Sequence, residues 1–448
     1  MNTLIQKYNV PGPRYTSYPT VPFWKNDDLK AQTWLDTIAL NVSLFDSNKV
    51  SLYVHLPFCE SLCTFCGCHK RITKNHDVEQ PYIDSVLEEW KMYRENFKFE
   101  ITELHLGGGT PTFFSPKELK RLLEEMLAGQ EIKANDVEFS FEGHPKNTSF
   151  EHLKVLFDFD FRRVSFGVQD YDPIVQKAIH REQSFAEVKQ VHDWAKEIGY
   201  KSISHDLVFG LPKQTLAGLE DTVHKTISLL PDRISLYSYA HVPWMKGNGQ
   251  RGFDESDLPD NEEKRGLYER AKELFLEAGY IEIGMDHFAL AHDDLAKAFK
   301  QKTLHRNFMG YTTQKTNLLI GLGASSISDS WFGFAQNEKH VEDYQKMVSE
   351  GKIPVFRGHV LSEEDLFLRQ AILELMCQFS TDLPDEFPLK KKILANLDDL
   401  IKDELVELNK DKVIVTTKGI PFVRNVCMAF DAYLFDVKQD KPMFSKTV

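Results

Sequence analysis

At 448 residues the chain exceeds the usual size of one domain, so one large domain with appendages, or two to three domains, is expected. Its composition, 42% hydrophobic and 27% charged, is that of an ordinary globular protein, with no leader-like apolar core in MNTLIQKYNVPGPRYTSYPT and no run able to span a bilayer. Fifty-four Lys and Arg against 67 Asp and Glu give a net charge of −13, which disfavours a nucleic-acid or anionic-membrane binder and leaves an anionic substrate dependent on a local basic set.

A cytoplasmic protein is expected, with reduced thiols, so its cysteines speak for metal binding or redox chemistry rather than a disulfide framework. Residues 1–49 read as an arm in which prolines 11, 13, 19 and 22 forbid a regular helix. From residue 50 short β-branched or aromatic runs alternate with amphipathic helical stretches. SLYVHL (51–56), ELHL (103–106), VEFSFE (137–142), RRVSFGVQ (162–169), KSISHDLVFG (201–210) and RISLYSYA (233–240) are the strands; 81–97, 115–128 and 186–199 are among the helices. Alternating βα units imply a parallel sheet, and six of them fit an α/β fold built as an open or partial barrel. After residue 290 the βα rhythm stops. Helical patterns at 363–379 and 387–408 precede VIVTTKGIPFVRNVCMAFDAYL, which suggests a small winged-helix-like module serving as a packing cap.

The strand ends carry the chemistry. In a parallel barrel the carboxyl ends of the strands form the active rim. Here they run into a cysteine loop, GGGTPT (107–112), Glu142, Gln169, Asp206 and the pair Ala240-His241. A lone Glu at such a place is more often a helix cap than a ligand; six polar or glycine-rich ends together read as a site. Gly107, Gly108 and Gly109 allow close backbone approach and positive φ, or serve merely as a flexible turn. They match neither G-x-G-x-x-G nor a P-loop.

HLPFCESLCTFCGCHK (55–70) packs Cys59, Cys63, Cys66 and Cys68 into ten residues. Cys68 or His69 could complete a four-ligand zinc site. Three cysteines on an Fe–S cluster would instead leave one iron open to a small molecule, which better suits a glycine loop on a polar rim. Cys377 and Cys427 lie in apolar helical contexts and read as core.

Cys59-ESL-Cys63-Thr64-Phe65-Cys66, with GGGTPT after strand two, resembles the signature of the radical S-adenosylmethionine (SAM) superfamily. More narrowly, PRYTSYPT, YVHLPFC, FCGC, GVQDY, HREQ, DLVFGLPKQT, GMDHFA, LHRNFMGYTTQ and RNVCMAFDAYL resemble the oxygen-independent coproporphyrinogen III dehydrogenase family over nearly the whole chain. The resemblance implies a partial (β/α)6 radical-SAM barrel at 50–290. It also implies an arm (1–49) covering the active site, a connecting region (291–350) contributing to it, and a mainly helical, winged-helix-like domain at 351–448.

It implies further that Cys59, Cys63 and Cys66 hold a [4Fe–4S] cluster, with Cys68 kept as a non-ligand. Tyr53, Phe65, Gly108, Gly109, Thr110, Glu142, Gln169, Arg181, Asp206, Ala240 and Ile327 fall where the family contacts SAM, in two SAM sites. EGHP around Glu142 is more His-rich than the resemblance leads one to expect. The implied reaction is oxidative decarboxylation of two propionates of coproporphyrinogen III to vinyl groups through a 5′-deoxyadenosyl radical. The implied partners are that substrate and a reductant such as flavodoxin or ferredoxin; a monomer is expected. Four propionates require a cationic clamp, for which Arg14, Arg306 and Arg163 are candidates. The alternatives are a haem-binding or haem-handling relative and a zinc-stabilised binding module.

Overall fold

The structure, a computed structural model, describes residues 2–24, 29–130, 132, 137–242, 250, 253–435 and 443–447. The prolines of the arm keep 9–20 out of helix, but helices flank them: α1 (Asn2–Tyr8) and α2 (Ala31–Phe45). The arm is divided between two cores. Ile5, Tyr8, Tyr15 and Tyr18 pack with the C-terminal helices, whereas Trp34 and Ile38 of α2 pack with the main sheet.

All six expected strands form: β1 (Lys49–Leu56), β2 (Glu100–Gly108), β3 (Glu138–Gly143), β4 (Phe161–Gln169), β5 (Ser202–Phe209) and β6 (Arg233–Ser238). Each pairs parallel with the next. The last ends at Ser238, so Ala240 and His241 follow the strand instead of closing it. Gly107 and Gly108, expected in a loop, still pair with His55 and Leu56, because backbone pairing needs no side chain.

The crossover helices are α3 (Glu79–Asn96), α4 (Pro116–Met126), α5 (Phe150–Asp158), α6 (Pro173–Ala178), α7 (Phe185–Ile198) and α8 (Leu216–Leu229). Ser115, Ser149, Ser184 and Thr215 cap four of them by accepting from backbone N–H groups of the first turn. Each such cap contributes about 1 kcal/mol.

The sheet does not stop at six. After α9 (Asn261–Glu277), β7 (Tyr280–Gly284) and β8 (His287–Leu290) add antiparallel beside β6. Beyond 290, α10 (Asp294–Gln301) leads to a hairpin of β9 (His305–Asn307) and β10 (Gly310–Thr312). Next, β11 (Leu319–Leu322) pairs parallel with β1, making a seventh parallel strand where the rhythm was expected to have ended. Antiparallel β12 (Ile327–Asp329), β13 (Gly333–Asn337) and, after α11 (Val341–Ser349), β14 (Val355–Val360) complete a 12-stranded open sheet. The C-terminal part has α12 (Glu363–Gln378), β15 (Ser380–Asp382), α13 (Lys390–Lys402), a hairpin of β16 (Val406–Asn409) and β17 (Lys412–Val415), and α14 (Val423–Met428). Cys377 and Cys427 are buried, as expected of core cysteines. Among the described residues no helix is long and apolar enough to cross a membrane.

The barrel strands alternate. Leu52, Val54, Leu104, Leu106, Phe139, Phe141, Val164 and Phe166 pack with the helices. Their neighbours in sequence are polar and meet one another on the inner face: Ser51 donates to Glu103 (2.6 Å), and Ser165 donates to Asp206 (2.7 Å). The segment after β9 fills the floor of this face. Thr312 donates to Glu103 at 3.0 Å, Thr313 to Glu138, and Arg233 with Ser202 holds Asp293 at 2.7 Å each.

Candidate active site

At the carboxyl ends of β1–β5 a cavity of about 170 Å3 opens. Of the fourteen cysteine and SAM-contact residues expected from sequence, eleven line it: the three cysteines, Phe65, Gly108, Gly109, Thr110, Glu142, Gln169, Arg181 and Asp206.

The cysteine loop is short of regular structure and is held from all sides. Thr73 donates its N–H to the Cys59 carbonyl (2.9 Å), Thr64 to Ile179 (3.0 Å), and the Lys70 ammonium to the carbonyls of Cys66 (3.0 Å) and Cys68 (3.3 Å). Phe65 packs beside Val175, Ile179, Leu211 and Tyr239. The sulfurs receive hydrogen bonds too: Thr110 Oγ1 donates to Cys59 at 3.3 Å and Arg181 Nη1 to Cys63 at 3.7 Å. A hydrogen bond with Cys68 pulls the Cys66 thiol down to about 6 and pushes Cys68 up, while burial raises Cys59 to about 11. Among the described residues no His, Cys, Asp or Glu set is gathered closely enough for a single metal ion. The three sulfurs share the cavity wall instead.

The glycine loop forms the opposite lip. A Cβ on Gly109 would lie 2.5 Å from the Pro57 carbonyl carbon, and Gly108, at φ +111°, would drive one into the His55 ring. The Gly108 N–H donates to Glu142 at 3.3 Å, and His105 Nε2 lies 3.5 Å from the other Glu142 oxygen. Gln169 ends β4 at φ +66°, a left-handed conformation costing a non-glycine residue roughly 1 kcal/mol. The strand stops there. Arg181 Nη2 donates to the Gly167 carbonyl at 2.6 Å, as does Gln183 Nε2 at 3.1 Å. Burial lifts Asp206 to about 6 although Ser165 and Ser235 donate to it.

Three expected residues lie outside the cavity lining. Tyr53 points along the inner face below it, stacked on His105 and 3.0 Å from His55 Nδ1. The Ala240 carbonyl accepts from Gln250 Nε2 (3.0 Å), which also reaches the Phe65 carbonyl (3.4 Å). Ile327, on β12, packs in the Trp24–Phe334 cluster. Its carbonyl sits against Gly321, the β-partner of Tyr53.

Lys70, Asn147, Ser165 and Gly167 also line the cavity and were not singled out from sequence. Ser165 and Gly167 were legible in principle, since both share the inward period-two register of Gln169. His144 lines it as well, its pKa driven down by burial and by Arg181.

The cationic candidates separate. Arg163 lies near the start of β4, ion-paired with Glu138 on the closed floor, so it is not available to a ligand at the rim. Arg14 pairs with Asp286. Arg306 is 7% exposed; its guanidinium stands 4.5 Å over the Tyr311 ring, and Nε and Nη1 have no partner among the described residues.

A sequence model of the radical SAM superfamily matches residues 53–226. The chain is 38% identical to an oxygen-independent coproporphyrinogen III oxidase of Escherichia coli (strain K12), over 96% of this chain and 95% of that one. It is 36% identical to the protein of that name from Pseudomonas aeruginosa, over 99% and 98%. Its structure is similar to a solved one described as "Coproporphyrinogen III oxidase (HemN) from Escherichia coli is a Radical SAM enzyme". The TM-score is 0.89 and the identity 35%, over 97% of this chain and 99% of that one.

Proposed function

The chain belongs to the oxygen-independent coproporphyrinogen III oxidase family of radical SAM enzymes, and from that premise we propose how its residues serve the reaction. It is an oxidoreductase that decarboxylates two propionates of coproporphyrinogen III oxidatively, giving protoporphyrinogen IX, with a [4Fe–4S] cluster and SAM as cofactors. When bound, these cofactors supply the one-electron chemistry that removes hydrogen from a propionate β-carbon; loss of CO2 and an electron leaves the vinyl group.

The cavity's donor set fits that pair of cofactors. Cys59, Cys63 and Cys66 would hold the cluster, with Thr110 and Arg181 donating to two of the sulfurs. Glu142 and Asp206 offer acceptors for amino and hydroxyl groups, and Arg181 a donor for a carboxylate, which is the polarity SAM presents. We assign Tyr53 and Ile327, neighbours through Gly321, to a second SAM. Arg306, outside the cysteine-lined cavity but buried beside Tyr311 with Nε and Nη1 unpartnered among the described residues, is assigned to a substrate carboxylate as part of the same proposal. A flavodoxin- or ferredoxin-type reductant and a monomeric state belong to the same proposal.

The observation that carries this reading is the convergence of three cysteine sulfurs, a glycine lip and Arg181 on one cavity. Anaerobic incubation of reconstituted protein with SAM, reductant and coproporphyrinogen III tests it. Protoporphyrinogen IX and 5′-deoxyadenosine are expected; 5′-deoxyadenosine without decarboxylation would point instead to a haem-handling role.

A further inference from the structure

Where the arm, the barrel edge and the C-terminal domain meet lies a second cavity, of about 70 Å3. Four cations line it: Arg14 from the arm, Lys264 and Arg265 from α9, and Arg424 from α14. Only two carboxylates face them, Asp286 and Glu282, and both are engaged. Asp286 pairs with Arg14, and Glu282 pairs with Lys272 at 2.6 Å. Arg265 pairs with Glu269, outside the lining, and its buried Nε has no partner among the described residues.

Lys264 and Arg424 have no carboxylate partner among the described residues. The Lys264 ammonium donates to the Tyr239 carbonyl at 2.7 Å. Arg424 donates to the carbonyls of Gly12, Pro13 (2.8 Å), Lys446 (3.1 Å) and Thr447 (3.2 Å). Carbonyl dipoles solvate a cation but leave its full charge in place. Two positive charges therefore share a partly buried space in which, among the described lining residues, the nearest counter-charge is Asp286, already paired with Arg14, an arrangement that an entering anion would relieve.

We infer that this cavity is a binding site for a small oxyanion, a carboxylate or phosphate group, separate from the cysteine-lined cavity. Its size suits such a group. Burial together with Arg14, Lys446 and Arg424 holds Lys264 down at about 8 in spite of Asp286, so a bound oxyanion would add negative charge that Asp286 alone does not supply. The anion would also fasten three segments that otherwise repel one another through like charges. The site stands independently of the proposed reaction.

The test is calorimetric titration of the reconstituted holoenzyme with inorganic phosphate in a buffer free of other oxyanions. Wild type is expected to bind, and Lys264→Met to bind roughly tenfold more weakly, the effect of losing one charge-assisted hydrogen bond. Asp286→Asn removes the internal competitor for Arg14, so it is expected to bind more tightly. Opposite signs in two variants exclude a general loss of fold. No binding to wild type, unchanged binding by Lys264→Met, or weaker binding by Asp286→Asn would each overturn the site. Coproporphyrin III then identifies the source of the oxyanion: competition with phosphate assigns it to a substrate carboxylate, and simultaneous binding to a free anion.

Discussion

The guanidinium of Arg181 donates to the sulfur of Cys63 at 3.7 Å. The same group reaches back to the Gly167 carbonyl, so the residue couples the cysteine loop to the end of β4. Arg181→Gln keeps a polar amide on a shorter side chain but loses the charge. It is expected to retain full iron content and to weaken SAM binding by tenfold or more, measured by equilibrium binding to the reconstituted protein. Loss of iron would move Arg181 from SAM to the cluster.

Cys68 sits two residues beyond Cys66 and is hydrogen-bonded to it. Cys68→Ser is expected to keep the cluster, whereas Cys66→Ser loses it. Iron and sulfide analysis with visible absorbance distinguishes them. Equal loss in both would make Cys68 a ligand.

Two glycines near the cavity answer differently to one added methyl group. Gly109→Ala drives a Cβ into the rigid Pro57 backbone, with an expected loss of about 1–3 kcal/mol or displacement of the cysteine loop. Gly67→Ala meets nothing within 4 Å and is expected to be neutral. Urea midpoints and cluster content of the two variants check the contrast.

The substrate carries four carboxylates, and Arg306 is a buried cation with unused donors. Arg306→Gln is expected to raise KM for coproporphyrinogen III at least tenfold while leaving SAM cleavage without substrate unchanged. An unchanged KM would remove Arg306 from the clamp.

Glu89 on α3 is buried against the Gly323 amide, Asn337 and Tyr344, and burial lifts it from 4.5 to about 7. The folded state therefore holds a proton that the unfolded state has released. Stability from this group falls as pH rises from about 4.5 to about 7, by about 3 kcal/mol at most. Glu89→Gln is expected to flatten that part of the pH profile of the urea midpoint, whatever its baseline.

Local signals were sufficient wherever spacing along the chain decides the outcome. The cysteine spacing, the glycine lip and five of the six strand ends follow from short segments, the sixth strand stopping at Ser238 short of Ala240, and eleven residues line one cavity. What long-range pairing decides was not legible. LIGL at 319–322 has nothing in its own pattern to say that it joins β1 rather than ending the sheet. Arg163 looked like Arg306 in sequence, yet one neutralises Glu138 on the floor, whereas the other stands over Tyr311 with Nη2 on the Arg14 carbonyl and no carboxylate partner among the described residues. Period two on the strands carried more than was taken from it, since the polar phase of β4 marks Ser165 and Gly167 along with Gln169.

The threonines of the 305–313 segment, bonded to Glu103 and Glu138, have a bearing on traffic. They lay side chains across the amino ends of β2 and β3, opposite the end where the cysteine-lined cavity opens. A macrocycle with one vinyl group formed is therefore expected to turn at the rim, by release and re-entry, before its second propionate reacts. A mono-vinyl intermediate should consequently accumulate in solution when substrate is in excess.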